Sequence, residues 1–128
     1  MTDIRLKSAN PSAAAGEWAE LEAAAYAERR GYECISKNYR SRAGEIDLIV
    51  RDGRELCFVE VRYRRDRRYG GALESITAAK RRKIIATANH FLAFTWNGPD
   101  PICRFDVVLI SGTAEDHELT WMEAAFEP

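Results

Sequence analysis

The apolar positions of this chain follow two spacings, one of about 3.6 residues and one of two residues. The longer spacing predicts two helices, one over residues 13–30 and one from residue 78 to about residue 93. The shorter spacing, with many β-branched residues, predicts strands at 32–40, 45–51, 55–64, 102–110 and 119–122. Helices on either side of mixed strands indicate an α/β fold, with a central mixed β-sheet flanked by helices.

Both predicted helices have recognisable ends. Asn10-Pro11-Ser12 suits the first turn of the first helix and Gly31 suits its stop, whereas Thr77 can cap the second helix. The predicted buried stripe of the first helix consists of Trp18, Leu21, Ala24 and Ala25, and its glutamates form a mostly solvated face. The apolar face of the second helix consists of Ile84, Ile85, Ala88, Phe91 and Leu92.

The second and third strands form a predicted hairpin with acids set among apolar residues. A two-residue turn at Asp52-Gly53 places Asp47 opposite Phe58. Because side chains alternate along a strand, Glu60 and Arg62 then share a face with Asp47, and Glu60 is its diagonal neighbour. The other face is predicted to hold Ile46, Leu48 and Val50 with Cys57, Val59 and Val61.

Two carboxylates in apolar strands are costly unless a cation meets them. A hard divalent cation with oxygen ligands is one answer, since it binds carboxylates directly. Ion pairs are another, because Arg62 can neutralise Glu60 while Arg51 or Arg54 serves Asp47. The spacing alone leaves both interpretations open.

Length and cysteine content set the broad class. A chain of 128 residues with 46% apolar and 30% charged residues suits one domain with a hydrophobic core, and residues 1–9 are predicted to be flexible. The three cysteines form no CxxC pair, so no disulfide framework or cysteine zinc site is indicated. Cys57 and Cys103 are predicted as small core residues. We expect no membrane contact and a reducing, cytoplasmic location, since no signal peptide or membrane-length apolar run is present.

The net charge of −1 conceals a basic segment. Residues 62–83 contain nine of the nineteen basic residues and two acids, so this segment is +7 and the remainder is −8. Its basic residues are Arg62, Arg64, Arg65, Arg67 and Arg68, followed by Lys80, Arg81, Arg82 and Lys83 at the start of the second helix. Cations are unfavourable in the first turns of a helix, so an anionic partner such as nucleic-acid phosphate is indicated. A solvated face, with Lys80 or Lys83 reaching Glu74, is the alternative.

Several short blocks occur in order and at near-constant spacing: Gly31-Tyr32, Asn38-Tyr39-Arg40, Gly44-Glu45-Ile46-Asp47-Leu48-Ile49, Phe58-Val59-Glu60-Val61-Arg62, Lys80 and Phe105-Asp106-Val107-Val108. Together they resemble the YraN-like family of predicted bacterial endonucleases, across roughly residues 14–112. That family is similar to a minimal member of the PD-(D/E)XK nuclease superfamily, which includes restriction endonucleases and archaeal Holliday-junction resolvases. The resemblance implies one nuclease-like domain over residues 1–128, with a restriction-endonuclease-like core.

The resemblance also implies a site. Asp47 matches the aspartate of the motif, Glu60 its second acid, Arg62 its cationic position, and Glu20 the acid on the first helix. Mg²⁺ or Mn²⁺ is then held by Asp47, Glu60 and Glu20. The DNA backbone is held by Arg64, Arg65, Arg67, Arg68, Lys80 and Arg81. Two positions depart from the pattern, because Ala19 replaces a glycine before Glu20 and Arg62 replaces the lysine of the superfamily.

The arginine at position 62 changes the expected chemistry. Lysine can lose its proton and help to activate water, whereas arginine effectively cannot. Arg62 is therefore expected to orient water or to stabilise transition-state charge. The leading hypothesis is metal-dependent hydrolysis of phosphodiester bonds in DNA, with branched DNA among the candidate substrates.

Two other classes of protein fit the same residues. One is a nucleic-acid-binding module on a nuclease fold with weak or lost catalysis. The other is an interaction protein whose hairpin acids are only ion-paired. Many nucleases of the superfamily act as dimers, which leaves a homodimer open.

Overall fold

The computed structural model describes residues 11–66 and 76–128, with side chains from residue 16 onward. The elements in this part of the chain are α1 (Pro11–Arg29), β1 (Glu33–Ser41), β2 (Gly44–Asp52), β3 (Glu55–Arg64), α2 (Ala78–Phe94), β4 (Ile102–Gly112) and β5 (His117–Phe126). The predicted α/β fold with a central mixed sheet and flanking helices is confirmed. Within these residues, no helix is long and apolar enough to cross a membrane.

The strands form one sheet in the order β1-β2-β3-β4-β5. Neighbouring strands are antiparallel except β3 and β4, which run parallel. A parallel pair needs a crossover connection, and the segment between β3 and β4 contains α2. The central strands β2 and β3 are largely buried, as expected for strands covered on both faces.

Each face of the sheet packs against one helix. On one face α1 contributes small side chains, Ala19, Ala23, Ala24 and Ala27, which meet Leu48, Val50, Val59 and Val108. On the other face α2 contributes Ile84, Ala88 and Phe91, which meet Ile46, Ile49, Phe58 and Val107. Alanines allow the backbone of α1 to approach the sheet closely, so groups on this helix can reach the strands.

Some predictions about burial and boundaries were wrong. Leu21 is 63% exposed, although it was predicted in the buried stripe of α1, and Cys103 is exposed rather than in the core. Ala24 and Cys57 are buried as predicted. The last strand, predicted at 119–122, extends over His117–Phe126 because it pairs with most of β4.

The hairpin forms with a register that differs from the predicted one. Asp52 pairs with Glu55, so the connection is Gly53-Arg54 rather than Asp52-Gly53. Gly53 has a φ of 61°, which glycine adopts without steric cost. Leu48 pairs with Val59, and continuing this register sets Asp47 directly opposite Glu60 instead of Phe58.

The alternation of side chains along β2 breaks at Asp47. Leu48 packs on the α1 side of the sheet, but Ile46 packs on the α2 side, so the predicted grouping of Ile46 with Leu48 was wrong. Residues two apart share a face only in a regular strand. The register of β1 sets Asn38 opposite Asp47, and Asn38 has a φ of 53°. The irregularity therefore involves both strands and lies at the candidate site.

Candidate functional site

Asp47 and Glu60 form a buried pair of carboxyl groups on the adjacent strands β2 and β3. Glu60 is 6% exposed, and Asp47 accepts a hydrogen bond on Oδ2 from the backbone N–H of Val61 at 2.8 Å. The two carboxyl groups lie within hydrogen-bonding reach of each other. This proximity follows from the register, because residues directly opposite on neighbouring strands have their side chains close together.

Burial raises the pKa of both groups. The pKa of Glu60 is raised to about 7, first by burial and then by the charge of Asp47. Burial also raises the pKa of Asp47, although the hydrogen bonds from Val61 and Glu60 oppose this effect. Because the two groups are buried side by side, the pair keeps a proton to a higher pH than two exposed carboxyl groups would.

Glu20 approaches the same pair from α1. Its pKa is raised to about 7, first by burial and then by the charges of Asp47 and Glu45, and this value includes the opposing effect of a hydrogen bond with Asn38. A cavity of about 160 Å³ opens here, lined by Glu17, Glu20, Leu21, Lys37, Asn38, Asp47 and Leu48. Asp47 thus interacts with Glu60 on one side and with Glu20 on the other, whereas Glu60 does not line this cavity.

Two cations approach Glu60. The Arg62 Nη2 atom lies 3.3 Å from Glu60 Oε2, and Lys80 Nζ lies 3.8 Å from the same oxygen. Lys80 is held by the cap of α2, because Thr77 Oγ1 accepts a hydrogen bond from the Lys80 backbone N–H at 3.1 Å. The first turn of α2 therefore contributes a cationic side chain to the surroundings of Glu60.

These contacts agree in part with the alternative in which both acids are neutralised by ion pairs. Arg62 contacts Glu60 as that alternative required, but Arg51 pairs with Glu33 at 2.9 Å and not with Asp47. Among residues 16–66 and 76–128, Asp47 makes no ion pair within 4.0 Å. Lys80 and Arg62 lower the pKa of Glu60, yet burial and Asp47 outweigh them. The pair therefore has less positive charge around it than two ionised carboxylates need.

The donor atoms of the cluster suit a hard cation. Carboxylate oxygens are the ligands that Mg²⁺ and Mn²⁺ prefer. Within the described ranges, no group of three or more His, Cys, Asp or Glu side chains is placed to hold a metal ion. Mg²⁺ is commonly bound by one or two carboxylates and several waters, so the Asp47–Glu60 pair fits it while a closed three-carboxylate cage does not form.

The predicted DNA-contacting residues have different surroundings. Arg64 ends β3 and the exposed Arg65 follows it, while Lys80 is half-buried beside Glu60. The Arg81 guanidinium lies 5.4 Å from the centroid of the Phe126 ring, and its buried Nε has no hydrogen-bond partner. Arg81 is therefore packed against the protein, which reduces its reach towards a ligand.

Several predictions lie outside the described residues. They concern the flexible start at residues 1–9, the arginines Arg67 and Arg68, the glycines Gly70-Gly71 and the pairing of Lys80 or Lys83 with Glu74.

A larger cavity, of about 430 Å³, lies at the tip of the hairpin. It is lined by residues 51–56 and by the loop around Trp96 to Ile102. It contains none of the predicted site residues. This cavity is therefore separate from the acidic cluster, although it is the larger of the two.

A second buried polar cluster was not predicted. Asp106 is fully buried and accepts hydrogen bonds from Arg104 Nε at 3.1 Å, Trp121 Nε1 at 2.8 Å and the Ala124 backbone N–H at 3.0 Å. The only sequence signal was an acid inside the apolar run Phe105–Val108. Its donors satisfy this carboxylate, so the cluster connects elements of the fold.

The residues of the site, from Glu20 to Lys80, fall within a stretch that matches a known family. A family model described as "Uncharacterised protein family UPF0102" matches residues 19–110, and the chain belongs to this family. The membership expected from the YraN-like resemblance is thereby confirmed.

Relatives from three bacteria cover nearly the whole chain. It is 46% identical over 123 residues to a UPF0102 protein of Dechloromonas aromatica, covering 96% of this chain and 97% of the relative. It is 50% identical over 112 residues to one of Nitrosomonas europaea, covering 88% and 92%. It is 49% identical over 119 residues to one of Ralstonia nicotianae, covering 90% and 88%. These names state a family and no reaction, so function is argued from the site.

Proposed function

We propose that the protein is a metal-dependent endonuclease of the PD-(D/E)XK superfamily that hydrolyses phosphodiester bonds of DNA. The observation that supports this most is the buried Asp47–Glu60 pair, with Arg62 and Lys80 beside it. Two acids from adjacent strands followed by a cation two residues after the second acid reproduce the motif, with arginine in place of lysine.

The carboxylates bind the cation in this proposal. Asp47 and Glu60 hold Mg²⁺ or Mn²⁺, together with the Val61 carbonyl, and Glu20 completes the shell directly or through water. When bound there, the ion polarises the phosphate and lowers the pKa of the attacking water. Glu60 must release its proton for the ion to bind, so affinity should rise with pH through about 7.

The basic side chains stabilise negative charge. A guanidinium effectively cannot act as a base in proteins, so Arg62 stabilises the transition state and orients the phosphate rather than removing a proton. Lys80 adds charge at the N-terminus of α2, where backbone N–H groups also attract phosphate. The arginines that follow β3 hold the DNA backbone without reading bases.

Calorimetric titration with Mn²⁺ tests the metal site. Asp47→Asn removes one charge at nearly constant volume, and we expect it to abolish Mn²⁺ binding while the fold is retained. Asp100→Asn, in the loop before β4, is a matched control that should leave binding unchanged. An unchanged Mn²⁺ affinity in Asp47→Asn contradicts the proposed site.

A second candidate function is a nucleic-acid-binding module with weak or lost catalysis, which arginine at position 62 favours. Incubating linear, flapped and branched DNA with Mg²⁺ or Mn²⁺ separates the two. Cleavage by the wild type that Asp47→Asn abolishes supports the nuclease. Binding without cleavage supports the module. Absence of both DNA and Mn²⁺ binding leaves an interaction protein with ion-paired acids.

A further inference from the structure

Asn38 has an unusual backbone conformation for a strand residue. Its φ of 53° lies in the left-handed region, which is uncommon for any residue except glycine and is best tolerated by asparagine and aspartate. Among the described non-glycine residues, only Asn38 and Ala124 have a positive φ. Such conformations persist where the surrounding structure fixes them, and they concentrate at functional sites.

The conformation has a visible effect on side-chain direction. Lys37 and Asn38 are successive residues of β1, yet both line the cavity beside α1. Successive residues of a regular strand point to opposite faces of the sheet. The left-handed turn at Asn38 therefore brings its side chain to the face that α1 covers.

Asn38 meets two of the candidate acids there. The β1–β2 register sets it opposite Asp47, and the side chains of Asn38 and Glu20 line the same cavity, where Asn38 lowers the pKa of Glu20. A carboxamide donates hydrogen bonds without adding charge, so it neither neutralises Glu20 nor repels it. Lysine here would neutralise the carboxylate, and aspartate would add a third like charge.

We propose that Asn38 is a positioning residue, whose carboxamide holds the Glu20 carboxyl group against Asp47 and so fixes the acid of α1 to the acid pair of the sheet. The effect on metal binding rests on the proposed function. The Asn38–Glu20 contact itself does not.

The first test measures Mn²⁺ affinity in variants. Asn38→Gly keeps the left-handed conformation accessible and removes the side chain with its carboxamide. We expect roughly tenfold weaker Mn²⁺ binding, the size typical of losing a partner that orients a metal ligand. If the wild type cleaves DNA, kcat should fall while KM for DNA stays unchanged. Ala124→Gly relieves the same kind of strain on β5 and should change neither quantity.

Repeating the measurement in the Glu20→Ala variant shows whether Asn38 acts through Glu20. In Glu20→Ala, adding Asn38→Gly should cause no further decrease in Mn²⁺ affinity. An equal decrease in both backgrounds, or no decrease in the wild-type background, overturns the positioning role.

A double-mutant cycle measured by urea unfolding of metal-free protein tests the Asn38–Glu20 interaction independently of nuclease activity. The effect of Asn38→Gly on the unfolding equilibrium constant should differ by at least about twofold between the wild-type and Glu20→Ala backgrounds. Identical effects in both overturn the proposed interaction. If the wild type binds no Mn²⁺ and cleaves no DNA, the proposed function fails while this cycle still decides the role of Asn38.

Discussion

Glu60 shows how competing effects at one residue decide its protonation. Lys80 and Arg62 both favour the charged form, but burial and the neighbouring Asp47 favour the neutral form more strongly, and the pKa rises to about 7. A carboxyl group in this state can exchange its proton for a metal ion near neutral pH. The same cluster is therefore costly for the metal-free protein and suited to a cation.

This balance predicts how stability depends on pH. Because the pKa of Glu60 is higher in the folded protein than the ordinary 4.5, its contribution to the free energy of unfolding is fully present below pH 4.5 and is lost as pH rises to about 7. Glu60→Gln cannot ionise, so we expect its stability to fall less over this range, by on the order of 2 kcal/mol. Urea unfolding of metal-free protein between pH 5 and 8 measures the difference.

The comparison isolates the Asp47–Glu60 pair from the other titrating groups. The pKa of His117 is also raised, chiefly by its hydrogen bond to Glu22, and this contribution has the same sign. Glu20 adds another contribution in the same direction. Both are present in the wild type and in Glu60→Gln. Parallel stability curves for the two proteins would show that Glu60 does not titrate in this range.

The size of the register error explains which parts of the hairpin could be predicted. The true register differs from the predicted one by two residues, and a shift of two keeps every side chain on its face. Asp47 and Glu60 were therefore brought together despite the wrong turn. Ile46 was misplaced because strict alternation contains no information about the break at Asp47. Asn38 was missed for the same reason.

At the scale of elements, α1 was the least predictable. Alanine is accommodated equally well in the protein core and on the surface, so an alanine-rich helix gives only a weak indication of its buried face. The large apolar Leu21 was taken for a core residue, whereas the alanines lie against the sheet. By contrast α2 has large apolar residues at helical spacing and a threonine cap, and both were predicted correctly.

The pairing of β4 with β5 depends on the Asp106 cluster. Arg104 and Asp106 lie on β4, while Trp121 and Ala124 lie on β5, so this buried carboxylate joins the two strands. Its partners on β5 lie 15 or more residues further along the sequence. No local pattern in the sequence indicates such contacts, which is why the cluster was not predicted.

We expect Asp106→Asn to lower the free energy of unfolding by about 3 kcal/mol, because it leaves a buried arginine without its fully buried charge partner. Asp52→Asn is a matched control, since Asp52 contacts the same guanidinium at 3.1 Å but is 40% exposed. Exposed partners contribute less, so its effect should stay below about 1 kcal/mol. Urea denaturation of both variants measures this. Equal effects would contradict the assigned importance of burial.

At the scale of the whole molecule, charge is distributed unevenly. The basic segment 62–83 contains Arg62 and the start of α2, and the structure places Arg62 and Lys80 on the same carboxylate. Two cations of this +7 segment, Arg62 and Lys80, therefore lie at the candidate site, while the rest of the chain is −8. This arrangement favours approach of a polyanion towards the acid pair and repels it elsewhere.

The proposed DNA binding predicts a change in salt dependence. Replacing Arg64, Arg65, Arg67 and Arg68 together with glutamine should weaken binding to unrelated DNA sequences alike, because interactions with phosphate contain no sequence information. The slope of log affinity against log salt should flatten by about 0.9 for each phosphate of duplex DNA that the variant no longer neutralises. Fluorescence anisotropy with two unrelated duplexes over a range of salt concentrations measures both effects.

A matched quadruple variant separates position from total charge. Replacing Arg29, Arg30, Arg51 and Arg54 with glutamine removes the same charge at the end of α1 and near the hairpin tip. The hairpin tip lies at the opposite end of β3 from Arg64 and Arg65. If DNA binds locally, this control keeps most of the wild-type slope while the slope of the first variant flattens. Equal slopes in both variants would mean that DNA responds only to net charge. An unchanged slope in the first variant would show that these arginines form a solvated face, and would remove them from the DNA-binding surface.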